Sequence, residues 1–239
     1  MKISVIIPMY NEEKIIKDTA TEVYKYMTER FGEGEFEVLF SNDGSLDGCA
    51  EAVRSLELPG IRVTGYEKNR GKGCAVRTAM LEAQGDFVMF TDADLAYGSE
   101  VIGRLYESYE QNKDAGLFIG SRNIGSDGYS GYTFLRKIMS KTYIKVLCIA
   151  GGFKLSDSQC GCKGFTNEAT KRIFSLCTVD GFAFDFEAIM IADRIKYKIV
   201  EIPVKIINHR ESKVNIIKDT FKMLSDLRKI KKRVKKLDI

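Results

Sequence analysis

FVMFTDADLAYG, Phe87 to Gly98, sets four apolar residues just ahead of two aspartates that are two positions apart. The run Phe87-Val88-Met89-Phe90 has no polar alternation, which predicts a short strand buried on both faces. Carboxylates are costly to bury without partners, so Asp92 and Asp94 are expected where that strand ends and opens onto a cleft.

The sequence before this stretch repeats the same unit. Ile3 to Ile7 predicts a strand ended by Pro8, and Asn11-Glu12-Glu13 opens a helix to about Arg30, with Asn11 as its cap. Phe36 to Phe40 is a second strand, followed by the turn Asn42-Asp43-Gly44-Ser45 and a helix over Gly48–Leu56. Ile61 to Tyr66 is a third strand, and Asn69-Arg70-Gly71-Lys72-Gly73 leads into a helix through Glu82. Repeated β-α units imply right-handed crossovers, hence an α/β fold with a mainly parallel sheet covered by helices. Ligands of such sheets bind beyond the carboxyl ends of the strands, where Pro8–Glu12, Asn42–Ser45 and Asp92–Asp94 all fall. Farther on, Leu117 to Gly120 predicts a strand and residues 123–132 a polar, glycine-rich loop. Thr133–Ile149 and Ala183–Ile195 predict helices, and Ile199–Ile207, interrupted by Pro203, an edge strand or bulge.

The 239 residues suffice for one large domain, and 44% hydrophobic with 29% charged residues is ordinary for a soluble globular chain. No apolar run approaches the roughly 20 residues of a membrane span, and MKISVIIPMY has no secretory cleavage pattern, so a cytoplasmic protein is expected. Six cysteines lack any C-x-x-C pair, which favours reduced thiols over zinc or disulfides. The net charge of +4 is uneven: 11 basic and 4 acidic residues lie between Arg210 and Ile239.

Two aspartates at i and i+2 suit one hard cation, Mg²⁺ or Mn²⁺, shared with substrate phosphates, although surface turns also produce the pattern by chance. The ordered set SVIIPMYNEE, SNDGSLDG, NRGKGCAVRTAM, FTDADL, GSRN and SDSQCGCKGFT decides between these. Together these segments resemble the family 2 glycosyltransferases of the GT-A fold, a Rossmann-like sheet flanked by helices. They are most similar to the dolichyl- and polyprenyl-phosphate glucosyltransferase and mannosyltransferase branch, on its glucosyl side. The resemblance reaches to about Val214.

It implies an inverting, metal-dependent transfer of a hexose, glucose in the first instance, from a nucleotide-sugar such as UDP-glucose to a polyprenyl or dolichyl phosphate. Pro8, Tyr10, Glu12 and Asp43 would line the nucleotide pocket. Asp92 would meet the ribose or the metal, and Asp94 would ligate Mg²⁺ or Mn²⁺. Asn42 stands where the family usually has an acid, and it can accept and donate hydrogen bonds without charge. Arg122, Arg136 and Ser140 would hold the acceptor phosphate, and Arg210 and Lys213 of HRESK would close over the diphosphate, with His209 structural. Asp157, Gln159, Asp185 and Glu187 match positions that could bind sugar hydroxyls or act as a base, Asp185 first among them, while Glu187 could simply face solvent. Lys72 and Arg77 flank the glycine-spaced turn, where basic groups and a helix N-terminus suit phosphate, or merely begin a solvated helix. A glycan hydroxyl acceptor and a non-catalytic nucleotide-sugar binder remain alternatives.

From Val214 to Leu237, Ile216, Ile217, Phe221, Leu224, Leu227, Ile230, Val234 and Leu237 fall on one helical face. RKIKKRVKK, Arg228 to Lys236, carries seven positive charges. The expectation is a catalytic domain over 1–213 and a basic amphipathic tail over 214–239. That tail would lie on an anionic membrane, at the inner face of the cytoplasmic membrane, or else pack on the core or a partner. No base-reading motif supports nucleic acid as a partner, and the sequence leaves homo-oligomerisation open.

Overall fold

The computed structural model describes residues 1–125, 127–129, 131–152, 154–208 and 216–239, and their side chains except those of 135, 136 and 216–223. The elements alternate as expected through the first half: β1 (Ile3–Met9), α1 (Glu13–Phe31), β2 (Phe36–Asp43), α2 (Cys49–Arg54), β3 (Ile61–Tyr66), α3 (Lys72–Glu82) and β4 (Phe87–Phe90). Then come α4 (Glu100–Gln111), β5 (Ala115–Ser121), α5 (Phe134–Gly151), β6 (Lys163–Thr166), α6 (Asn167–Phe174), α7 (Phe184–Ile195), β7 (Lys198–Pro203) and α8 (Ile216–Val234).

The seven strands form one sheet in the order β3-β2-β1-β4-β6-β5-β7. Only β6 is reversed, pairing antiparallel with both β4 and β5. Side chains alternate between two cores. Val5, Ile7, Phe87 and Met89 face Ile16, Val23, Met27 and Leu105 of α1 and α4. Ile6, Val88 and Phe90 face Val76, Met80, Ile173, Phe186 and Ile189 of α3, α6 and α7. This two-sided burial is why the strands read as unbroken apolar runs.

Pro8 does not end β1, which continues in register with β2 as far as Met9 opposite Asn42. Its pairing with β4 stops at Ile6, so the proline needs no amide on that side. Asn11 does not cap α1. It takes a left-handed backbone (φ 54°) and accepts from the Leu46 amide at 2.8 Å, while Asp47 accepts from the Glu13 amide at 3.0 Å. The first two loops therefore cap one another. β7 is the expected edge strand but stops at Pro203; beyond it, the amide of Ile207 bonds the Ala96 carbonyl, and the Asn208 amide group bonds that of Leu95.

Of the two arrangements expected for the carboxyl-terminal segment, α8 shows packing on the core. Leu227, Ile230 and Val234 are buried in the core beside α7, so the described part of the apolar face seen in the sequence is covered. Arg228, Lys229, Lys232, Lys235 and Lys236 face solvent on the opposite side. Among the described residues no helix is long and apolar enough to cross a membrane. All six cysteines are free and buried.

Candidate active site

Asp92 and Asp94 emerge from the end of β4, partly exposed, at the carboxyl edge of the sheet. Asp94 Oδ1 accepts from the Ala96 amide at 3.1 Å, which closes the acid turn around Leu95, whose φ is 44°. Asp92 Oδ1 is paired with the ammonium of Lys72, the first residue of α3. Burial alone would lower the Lys72 pKa, but Asp92 first and then Asp185 and Asp94 outweigh it and hold the ammonium above its ordinary value. One cation thus stands amid three carboxylates contributed by two elements.

Asp185 begins α7 and receives the amide of Phe186 at 2.9 Å and Lys163 Nζ at 3.1 Å. Lys163, the first residue of β6, is 0% exposed and also donates to the Cys160 carbonyl at 2.6 Å. Nothing in the sequence singled it out, since its partner lies 22 positions away. Gly161, in the same turn, packs on the acid pair: an added Cβ would stand 3.0 Å from Asp92 Cγ and closer still to Oδ2.

The glycine-spaced turn owes its glycines to packing. A Cβ on Gly71 would lie 2.5 Å from the Asp180 carbonyl oxygen, and one on Gly73 would lie 2.5 Å from that of Val179 and 2.6 Å from Phe184 Cβ. The loop ahead of α7 fills the space that the sequence suggested for phosphate. Arg77, expected near the nucleotide, instead donates to Asp180 at 2.6 Å, and Arg70 reaches the same carboxylate at 3.5 Å. Asp43 is buried beneath this turn and accepts from Tyr66 Oη at 2.7 Å, Asn69 Nδ2 at 2.9 Å, the Arg70 amide at 2.9 Å and the Gly71 amide at 3.0 Å. Its carboxylate fixes the loop that presents Lys72. Asn42 accepts from the Ser45 amide at 3.0 Å and shapes the turn that follows β2. Pro8, Tyr10 and Glu12 lie at the same edge, with Tyr10 exposed.

On the β5 side, Arg122 grips Asp157 with Nε at 2.7 Å and Nη2 at 2.9 Å. Asp157 is fully buried, which removes it as a candidate base. It also accepts from the Gln159 amide at 3.0 Å, and Glu201 of β7 braces the Ser156 amide at 2.9 Å. The Tyr129 ring stands between Arg122 and Lys141 of α5, at 5.7 and 5.8 Å from their cationic ends. Ser140 lies on α5, half-buried. The side chain of Arg136, and all of His209, Arg210, Ser212 and Lys213, lie outside the described residues. Glu187 is 0% exposed rather than solvent-facing: it accepts from the amides of Thr178 and Val179, each at 2.8 Å, and pairs with Arg233 of α8.

Asp92, Asp94, Lys72 and Asp185 thus gather at the carboxyl edge of the sheet, with Gly161 packed on Asp92 and with Asp43 and Arg77 holding the loops about Lys72. Two partly exposed carboxylates beside a held cation suit an anionic ligand bound through a divalent ion.

Comparison with known proteins identifies the family. Residues 4–174 match the family model described as glycosyl transferase family 2. A dolichyl-phosphate beta-glucosyltransferase of Dictyostelium discoideum is 29% identical over 97% of this chain and 74% of its own length. One from Trichomonas vaginalis, dolichyl-phosphate beta-glucosyltransferase ALG5D, is 34% identical over 95% of this chain and 72% of its own. Glucosyl-3-phosphoglycerate synthase of Mycobacterium tuberculosis, crystallised with Mn²⁺, UDP and phosphoglyceric acid, superposes with a TM-score of 0.71 at 18% identity, covering 99% of this chain and 80% of that one. On sheet order, site and these matches together, the chain has the GT-A fold and belongs to glycosyl transferase family 2.

Proposed function

We propose that the protein is an inverting glucosyltransferase that moves glucose from UDP-glucose to a polyprenyl or dolichyl phosphate. The observation that carries this reading is the pair Asp92 and Asp94, partly exposed at the sheet edge beside Lys72 and Asp185, in a chain whose relatives are named for that reaction.

The residues fit a divalent cation. Both carboxylates offer hard oxygen donors and are partly exposed. No group of three or more His, Cys, Asp or Glu among the described residues forms a closed metal cage, so donor phosphate oxygens would complete the shell. Asp94 and Asp92 would hold Mg²⁺ or Mn²⁺, which would supply positive charge against that of the departing nucleoside diphosphate.

Lys72 adds a fixed positive charge on the diphosphate side, pre-oriented by its three acids. Pro8, Tyr10, Glu12 and Asn42 contact the nucleoside, while Asp43 supports the Lys72 loop. Asp185 and Gln159 orient the sugar hydroxyls. The acceptor needs no general base, because a phosphate monoester with a second pKa of about 6 is largely dianionic at neutral pH. Its oxygen attacks the anomeric carbon on the face opposite the leaving group, forming one C–O bond as the other breaks, so the centre inverts. Arg122, Arg136 and Ser140, joined by Lys141 across Tyr129, hold the phosphate; the Asp157 grip fixes the Arg122 plane.

A lipid acceptor calls for a membrane surface, and the protein is a peripheral one on its cytoplasmic face. Because the described part of the apolar face of α8 is covered, the contact falls to α5, which exposes Phe134 (81%), Ile138, Val146 and Ile149 (70%) along one stripe beside Lys141 and Lys145. The exposed basic side of the adjacent α8 adds attraction to acidic headgroups.

The test is a donor panel, UDP-glucose against UDP-galactose and GDP-mannose, on undecaprenyl and dolichyl phosphate with Mn²⁺ or Mg²⁺. Glucose transfer from UDP-glucose to the phosphates, abolished by chelator and by Asp94→Ala, is expected. Turnover only on sugar-terminated lipids rejects the acceptor assignment, and full activity of Asp94→Ala rejects the metal assignment.

A further inference from the structure

We infer that Arg233, on the carboxyl-terminal helix, is a positioning residue for the donor side of the cleft. It acts through Glu187 and the 176–181 loop on Lys72. The inference rests on the donor site proposed above and names a part of it that lies in no family motif.

The route is a series of buried polar contacts. Arg233 Nη2 pairs with Glu187 Oε1 and donates to the Leu176 carbonyl at 2.9 Å. Glu187 is enclosed on α7, and its carboxylate also receives the Thr178 and Val179 amides, with Thr178 Oγ1 at 3.1 Å. The loop from Leu176 is thus tied at both ends to one ion pair. Its next residues form the bed of α3: the Asp180 carbonyl accepts from the Cys74 amide at 3.2 Å, and the Asp180 carboxylate takes Arg77. Gly71 and Gly73 pack too closely on Asp180 and Val179 to admit even a methyl group. Lys72 lies between those two glycines and points to Asp92. The same loop runs directly into α7 and so also sets the start of the helix that carries Asp185.

The charges explain why the arginine matters. Glu187 is wholly enclosed, and a buried carboxylate deprived of its cation is strongly penalised. Without Arg233, the least costly relief is for the 176–179 backbone to open and let water in. That movement reaches Lys72 through the start of α3, which rests on this bed, as well as Asp185 through the start of α7. The remaining basic residues of α8 that face solvent have no such path.

The experiment is a double-mutant cycle on UDP binding, measured by calorimetry with UDP and Mn²⁺ as the probe. Arg233→Met keeps bulk and removes charge; Lys72→Met removes the group that Arg233 is argued to position. Arg233→Met should weaken UDP binding about tenfold in the wild-type background and less than about twofold beside Lys72→Met, a coupling of at least about 1 kcal/mol. Arg233→Lys, which restores the charge, should recover most of the affinity. Lys232→Met, one position earlier on the exposed face, should change nothing. Glu187→Gln, isosteric and uncharged, supplies the same cycle should Arg233→Met fold poorly. Equal weakening in both Lys72 backgrounds would mean a general loss of structure and overturns the inference, as does no weakening at all. A wild-type protein that binds no UDP overturns the donor reading and the inference with it.

Discussion

Gly161→Ala separates the chemistry of the cleft from the stability of the fold. The backbone of Gly161 lacks a positive φ, so alanine is conformationally acceptable there. The new methyl group, however, would stand 3.0 Å from Asp92 Cγ and inside contact of Oδ2. To regain ordinary separation the carboxylate must retreat by roughly 1 Å. It has somewhere to go, since its side chain is 31% exposed, so the cost in stability should stay within about 1 kcal/mol. The cost in rate should be larger: a misplacement of about 1 Å in a positioned group is worth on the order of a hundredfold, or about 2.7 kcal/mol of barrier. Steady-state glucosyl transfer and chemical denaturation, run side by side, measure both. A Gly161→Ala protein that melts like wild type and transfers within threefold of its rate would refute the assignment of Asp92 to the reacting side of the cleft.

Other perturbations follow from the same contacts. Asp43→Asn keeps the shape but cannot accept from amides at both atoms, and should cost about 2 kcal/mol in urea unfolding. Burial pushes the Asp180 carboxyl up, yet Arg77 and Arg70 outweigh it and hold its pKa below the usual carboxylate value. A depressed folded pKa means this stabilisation is complete above about pH 3.9 and fades as pH falls below it. Arg77→Met should therefore flatten the stability profile on its acid side, between about pH 5 and 3. Phe134→Ser with Ile149→Ser should leave the melting curve unchanged, because both side chains are exposed, and should reduce sedimentation with vesicles containing phosphatidylglycerol. Undiminished pelleting would remove α5 as the lipid-facing surface.

The parallel half of the sheet was legible because β1, β2 and β4 are buried on both faces and each turn carries its own polar signal. Phe87–Phe90 followed by Asp92 and Asp94 is the clearest instance: apolar run, then acids, then a cleft. β6 was not legible, since four residues, one of them the buried Lys163, carry no period. Polar partners far apart in sequence were equally hidden. Arg77 and Asp180 are 103 positions apart, Glu187 and Arg233 46, and nothing local distinguishes a guanidinium bound for phosphate from one bound for a loop carboxylate. The tail shows the same boundary. Its spacing revealed an apolar face, but periodicity does not say whether lipid or α7 covers it.

The reversed strand has a consequence for how the protein could change. β5 leaves the sheet at Ser121, and because β6 runs backwards the chain returns at Lys163, with Ile119 and Phe90 both opposite it. Residues 122–162 thus form one excursion that departs and re-enters at the same margin, and its length can vary without shifting the register of any strand. Glu12, Asn42, Lys72 and Asp92 belong to the other, parallel half. A graft exchanging the part of the excursion ahead of Gln159 between relatives should accordingly alter what receives the sugar while leaving unchanged what delivers it.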